Sequence, residues 1–162
     1  SGPNSCYPHA KVTKRILRNT EAVLIDWGID FGGYKSDLTR MFFLGKIPKL
    51  IRTVNDTVKI AQQKAIESIQ VNVPIDQVDY QARNYLKSKK LAQYFGHALG
   101  HGVGLEIHEA PRVSGQNAAR LKEGMVITVE PAVYLPKQFG IRIEDMVLVT
   151  SKGAKVLSAH IY

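Results

Sequence analysis

The chain has 162 residues, 44% of them hydrophobic, which suits one domain (1–162) with a real core and excludes a fibrous or low-complexity protein. No apolar run approaches the roughly 18 residues that a membrane-spanning helix needs, so no membrane partner is expected; the single cysteine, Cys6, excludes an internal disulfide framework and fits a reducing, cytoplasmic location. The net charge of +8 gathers partly in "KVTKR" (11–15) and "KSKK" (87–90), but no aromatic residues interleave with the lysines, so a solvated basic surface is expected rather than a nucleic-acid partner.

Along the chain, the opening "SGPNSCYPHAKVTKR" lacks the apolar stretch of a secretory leader. Cys6 reads as a small buried hydrophobe. "AVLIDW" (22–27) is a short β-rich run, "FGG" (31–33) is a turn signal, and "YKSDLTRMFFL" follows. Together they predict a β-hairpin with Asp26 on one strand and Asp37 on or near the other. From Pro48 to Gln70 the period changes: Leu50, Ile51, Val54, Val58, Ala61, Ala65 and Ile69 recur at spacings of three and four, which predicts an amphipathic helix. "NVP" (72–74) ends it. Asp76 then reads as the N-cap of a second helix over roughly 76–89, with Val78, Ala82, Tyr85 and Leu86 as its apolar stripe. "GMVITVEPAVY" (124–134) reads as a strand broken by Pro131, and "GIRIEDMVLVT" (140–150) as a second strand. They form a second hairpin carrying Glu130 and Glu144. Each hairpin thus carries two acids, a faint sign of internal duplication.

The acids have a common setting. Asp26 and Glu130 each end a run of apolar strand residues, while Arg142 and Glu144 point to one face of their strand and Ile141 and Ile143 to the other. A carboxylate inside an apolar strand is costly to bury unless it is paired or binds a metal. Three such acids with Asp37 nearby point to a site. So does "FGHALGHGVGLEIHE" (95–109), which holds His97, His101 and His108 among four glycines, although the chain has only five histidines. His97 and His101 are four apart, as on a zinc-protease helix, but Gly100, Gly102 and Gly104 argue against a helix and for an extended chain with close backbone approach. Carboxylates plus an imidazole suit Mn²⁺, Co²⁺, Fe²⁺ or Zn²⁺, and a two-ion site can activate a water for hydrolysis.

Five ordered segments carry a family resemblance: "SGPNSCYPHA", "LIDWGIDFGGYKSDLTRMF", "FGHALGHGVGLEIHEAPRVS", "LKEGMVITVEPAVY" and "GIRIEDMVLVT". They resemble the catalytic domain of the pita-bread metallopeptidases, which include Xaa-Pro aminopeptidases, prolidases and methionine aminopeptidases. The resemblance implies an α+β fold, with a curved, mostly antiparallel sheet and flanking helices. It implies two divalent ions, Mn²⁺ before Co²⁺, Zn²⁺ or Fe²⁺, held by Asp26, Asp37, His101, Glu130 and Glu144. Asp37 and Glu144 would bridge the ions. Glu130 would also act as the base toward a water between them, His108 would stabilise the tetrahedral intermediate, His9 would approach the scissile nitrogen, and His97 would line the pocket. Arg142 would support the ligands from behind.

Within that family, "SGPNSCYPHA" resembles the prolyl-cleaving branch, so hydrolysis of Xaa-Pro bonds at the N-terminus of peptides with proline in second position is expected. A methionine aminopeptidase is the alternative within the family, and a catalytically inactive pita-bread binding module or an inactive fragment the alternative outside catalysis. Two departures stand out. Ala132 replaces the usual glycine after Glu-Pro, which is expected to tighten a turn. The resemblance also covers only the C-terminal part of the family's catalytic domain, so an open sheet edge, and pairing with a second copy or with the N-terminal part, are expected.

Overall fold

The three-and-four spacing of Ile51, Val54, Val58, Ala61 and Ala65 becomes one buried stripe of α1 (Lys49–Glu67) in a computed structural model that describes residues 1–161. Leu50 departs from the expected stripe and faces solvent in the helix's first turn. The second helix, α2 (Ile75–Ser88), buries Val78, Ala82 and Leu86 against α1. Asp76 is not its N-cap. Pro74 holds that place, and the first helical N–H groups, those of Ile75 and Asp76, donate to the carbonyls of Ala119 and Asn117 at 2.9 and 3.0 Å. A neighbouring loop therefore satisfies the orphan donors that a capping side chain would otherwise take. Asp76 sits instead in the first turn, where the helix dipole favours an acid.

The first predicted hairpin is β1 (Ala22–Trp27) paired antiparallel with β4 (Leu38–Phe43), with six residue pairs from Ala22↔Phe43 to Trp27↔Leu38. At its tip a smaller hairpin, β2 (Asp30–Phe31) and β3 (Tyr34–Lys35), turns through Gly32 and Gly33, both with positive φ.

A five-stranded sheet forms the rest of the frame. Its strands are β5 (Gly100–Gly102), β6 (Glu109–Val113), β7 (Val126–Val129), β10 (Asp145–Thr150) and β11 (Gly153–Val156), in the order β11-β10-β7-β5-β6 with antiparallel neighbours throughout. Between β7 and β10 in sequence, β8 (Ala132–Leu135) and β9 (Phe139–Arg142) pair with each other. α1 packs across β7, β8, β9 and β11, and Ile127, Val129, Val133, Ile141, Val147 and Val149 complete the core beneath it. Ala132 lies within a strand, opposite Arg142, so it tightens no turn.

The second predicted hairpin therefore exists, but both of its strands are interrupted. The ladder runs to Asp145↔Val129, stops, and resumes at Ala132↔Arg142. Glu130 and Pro131 face Ile143 and Glu144 across the gap. Pro131 has no N–H to offer a ladder. The free amides turn sideways: Glu130 N–H donates to Leu99 at 2.8 Å, and Glu144 N–H donates to Thr39 at 3.1 Å. Each interruption thus joins the hairpin to a different neighbour, the histidine loop on one side and β4 on the other. Among the described residues, no helix is long and apolar enough to cross a membrane.

Candidate metal centre

Glycine brings the histidine segment against the sheet. A Cβ on Gly100 would lie 1.9 Å from the Thr128 carbonyl oxygen, and one on Gly102 would lie 2.3 Å from that of Ala110. No larger residue fits at either position without moving the backbone. Between them stands His101. Its N–H donates to Thr128 Oγ1 at 3.1 Å, and its ring Nδ1 lies 3.0 Å from the Gly102 carbonyl. A carbonyl only accepts, so Nδ1 carries the proton and Nε2 presents its lone pair. That lone pair faces Glu130 Oε1 at 3.4 Å and Asp37 Oδ2 at 3.7 Å.

The acids converge from the two hairpins. Asp26 lies opposite Thr39 in the β1–β4 ladder, and Asp37 immediately precedes β4. Glu130 and Glu144 project from the two interruptions. Three donor sets each bring one ligand atom per residue within 4.8 Å of the others: Asp26, Asp37 and Glu144; His101, Glu130 and Glu144; and Asp37, His101 and His108. Glu144 is common to the first two and Asp37 to the first and third. His108 packs edge-on against the His101 ring, with centroids 4.2 Å apart, and stands close enough to be a donor itself.

Two threonines and an arginine hold these groups from behind. Thr39 Oγ1 donates to Glu144 Oε2 at 2.6 Å and accepts from Arg142 Nε at 3.1 Å. Thr128 Oγ1 approaches Glu130 Oε1 at 3.3 Å. Arg142 reaches Asp26 Oδ2 at 2.5 Å and Tyr134 Oη at 2.8 Å. Tyr134 in turn meets His97 Nε2 at 3.1 Å, while His97 Nδ1 sits 2.7 Å from the Ala98 carbonyl. Neither threonine nor Tyr134 was singled out from the sequence. A signal for two of them exists: Thr39 is the cross-strand neighbour of Asp26, and Thr128 precedes Glu130 by one strand repeat.

Burial sets the electrostatics. It pushes the Asp37 carboxyl up to about 6, with the neighbouring Asp26 charge adding to the rise. It pushes Glu130 up to about 7, where Arg142 pulls the other way and Asp37 and Asp26 push further. Glu144, 2% exposed, is raised well above the usual carboxylate range by burial and by Glu130 and Asp37. Burial also lowers His97 and His101, favouring the neutral ring that a ligand requires. Four carboxylates share the centre with one Arg142 guanidinium. That imbalance, with oxygen-rich donors and a correctly turned imidazole, fits divalent cations.

The centre opens into a cavity of about 390 Å³ whose lining includes all four acids, His97, His101, His108 and Arg142. His9 lines the same cavity from an exposed position near its mouth. Arg112 on β6 also lines it and was not anticipated. Cys6 is buried, as expected.

Comparison with known proteins gives a consistent result. The model of metallopeptidase family M24 matches residues 1–151. The chain is 42% identical over 158 residues to the Xaa-Pro dipeptidase of Pyrococcus furiosus, covering 98% of this chain and 45% of that protein. Among solved structures, the prolidase from Pyrococcus furiosus superposes with a TM-score of 0.96 at 41% identity, covering 99% of this chain and 48% of that one. The X-Pro aminopeptidase from Thermotoga maritima gives 0.95 at 35% identity, covering 98% and 45%. The chain thus spans about half the length of the relatives it matches, and its fold is the α+β pita-bread fold of these structures.

Proposed function

The chain belongs to metallopeptidase family M24, and from that premise we propose that it is the metal-bearing part of a dinuclear peptidase that hydrolyses Xaa-Pro bonds at the N-terminus of peptides. One observation supports this reading above the rest: two donor sets, Asp26–Asp37–Glu144 and His101–Glu130–Glu144, meet at a shared acid. Asp37 and Glu144 would be shared between the ions, Asp26 would complete one site, and His101 with Glu130 would complete the other. Mn²⁺ is the ion assigned, and the donors also suit Co²⁺, Zn²⁺ or Fe²⁺. When bound, such ions supply Lewis acidity and a water acidic enough to lose a proton near neutral pH.

The chain's own groups supply the remainder. Glu130, whose Oε1 faces His101 Nε2 at 3.4 Å and Thr128 Oγ1 at 3.3 Å, would accept the proton of the attacking water and return it to the leaving nitrogen. His108 stabilises the developing oxyanion from the cavity's open side. His9 approaches the scissile nitrogen. His97, fixed by Ala98 and Tyr134, shapes the wall against which the substrate rests. Arg142 holds Asp26 and Tyr134 and so fixes the near wall. Asp26, Asp37, Glu130 and Glu144, lining one cavity with His97, His101 and His108, support a metal-dependent reaction over a binding module without catalysis.

Exposed apolar side chains on and beside the small β2–β3 hairpin (Ile29, Phe31, Tyr34) and at Leu105 are where we place self-association or contact with an N-terminal part. We place the chain in a cytoplasmic setting, with which the free, buried Cys6 is in keeping.

The test is Mn²⁺-dependent release of the N-terminal residue from an Xaa-Pro dipeptide and an Xaa-Pro tripeptide, with Glu144→Ala as control. Release by the parent and none by the variant is expected. Equal measurable release from parent and variant would overturn the reading, and faster release from a Met-Ala dipeptide added to the panel would shift it to the methionine aminopeptidase branch.

A further inference from the structure

A buried amide interrupts the apolar stripe of α1. Gln62 stands four residues after Val58 and three before Ala65, on the face that packs into the core, and it is 6% exposed. Packing alone does not call for a polar group there, and a buried amide is costly unless its hydrogen bonds are made. Its Nε2 lies 3.1 Å from the Val129 carbonyl, 3.3 Å from the Ile143 carbonyl and 3.0 Å from Asp145 Oδ2. Two N–H groups are shared among three acceptors.

The identity of those acceptors is informative. Val129 and Ile143 are the residues immediately before Glu130 and Glu144, on opposite sides of the interrupted ladder. Asp145 immediately follows Glu144. The amide therefore spans the gap from which both glutamates project, at the place where the strands do not pair with each other. Asp145 is itself held from the far side, since its Oδ1 accepts from Arg40 Nη2 at 2.7 Å and from Ser158 Oγ at 2.6 Å. One turn of helix thus ties together the two chain segments that carry the glutamates.

We propose that Gln62 is a positioning residue, whose amide sets the separation of Glu130 and Glu144 by clamping the carbonyls that precede them. For its consequence on ion binding the proposal rests on the metal-centre reading above. Its consequence for the backbone does not. In the metal-free chain the clamp opposes the tendency of two buried acids to move apart, and the Glu130 and Glu144 amides remain on Leu99 and Thr39.

The experiment compares the parent chain with Gln62→Met, which keeps the volume and removes both donors, and with Val58→Ala, which damages the same helix stripe one turn earlier. Amide hydrogen exchange is measured on metal-free protein, and Mn²⁺ binding by calorimetry. Gln62→Met is expected to speed exchange at the Glu130 and Glu144 amides about tenfold relative to Val149 and Gly124, whose amides bond elsewhere in the sheet. It is also expected to weaken Mn²⁺ binding by about tenfold or more. Val58→Ala should lower the melting temperature without singling out those two amides. Unchanged relative exchange in Gln62→Met, or the same selective increase in Val58→Ala, overturns the assignment. If Gln62→Met does not fold, Gln62→Asn, which withdraws the amide by one bond, should shift the same two amides. A parent that takes up no Mn²⁺ would sink the metal-centre reading, while the exchange comparison still decides the role of Gln62.

Discussion

The two hairpins each bring two acids to one centre, yet they do so by opposite means. The β1–β4 hairpin keeps an unbroken ladder of six pairs and delivers Asp26 and Asp37 at its end. Asp26 is partly open to solvent and neutralised by Arg142. The β7–β10 hairpin breaks its own ladder, and Glu130 and Glu144 project from the breaks into a buried space. The first hairpin offers one acid already paired with an arginine and one, Asp37, that is buried and pushed up to about 6. The second carries the larger share of the electrostatic cost, since both of its carboxyls are buried and driven up. The region that binds most deeply is therefore also the one that needs cations most.

The largest expected effect follows from that asymmetry. Glu144→Ala removes the donor common to two ligand sets and should abolish peptidase activity and reduce bound Mn²⁺ per chain, measured by elemental analysis after dialysis. His108→Ala should abolish activity while leaving more of the ion in place. Equal losses of ion from the two variants would erase the division between ligand and pocket roles. Ion removal comes next. Each ion bound at one hundred times its Kd stabilises the folded state by about 2.7 kcal/mol, which for a chain of this size corresponds to roughly 5–10 °C in Tm per ion. A chelator should lower Tm by that amount and excess Mn²⁺ should restore it. An unchanged Tm in protein known to be loaded would count against the site.

A smaller effect concerns pH. The Glu130 carboxyl titrates near 7 in the folded chain against an ordinary 4.5, and Glu144 is also raised. The folded chain holds protons that the unfolded chain releases. The associated stability is fully present below about pH 4.5 and is lost as pH rises through about 7. His97 and His101 are lowered by burial and act oppositely below 6.5, so the clean window lies above that value. Metal-free protein should therefore lose Tm between about pH 6.5 and 8, and Glu130→Gln should flatten that loss. Mn²⁺ affinity should rise across the same window, because ligation needs the deprotonated carboxylate. A metal-free Tm that climbs through this range in the parent would contradict the assignment.

Much of this was legible in the residues. The α1 stripe, the first hairpin and the need for glycine beside His101 follow from spacing and from backbone freedom. The break at Pro131 was visible because proline cannot donate to a ladder. The matching break at Ile143–Glu144 was not, since "IRIEDMVLV" has unbroken strand character; its amide is diverted by Thr39, a partner more than a hundred residues away in sequence. The N-cap of α2 was misplaced for the same reason, because the loop at Asn117–Ala119 takes over what a local side chain would have done. Gln62 was legible only as a polar residue in an apolar stripe. Its acceptors are backbone carbonyls, which carry no sequence signature.

The finest comparison sets Thr39 against Thr128, one behind each glutamate of the centre. Thr39 Oγ1 donates to Glu144 at 2.6 Å, a strong hydroxyl–carboxylate bond, whereas Thr128 Oγ1 lies 3.3 Å from Glu130, beyond the usual range for such a pair. Both bonds favour the charged carboxylate. Removing one should raise the pH at which its acid becomes available to an ion, and the stronger bond should matter more. Thr39→Val is therefore expected to move the midpoint of Mn²⁺ binding to higher pH and to weaken affinity at pH 7 by about tenfold. Thr128→Val should cause a smaller shift of the same sign. Affinity measured against pH for both variants decides the matter. A larger shift in Thr128→Val would mean that Glu130, rather than Glu144, limits ion uptake, and that the buried half of the centre is organised from the histidine side.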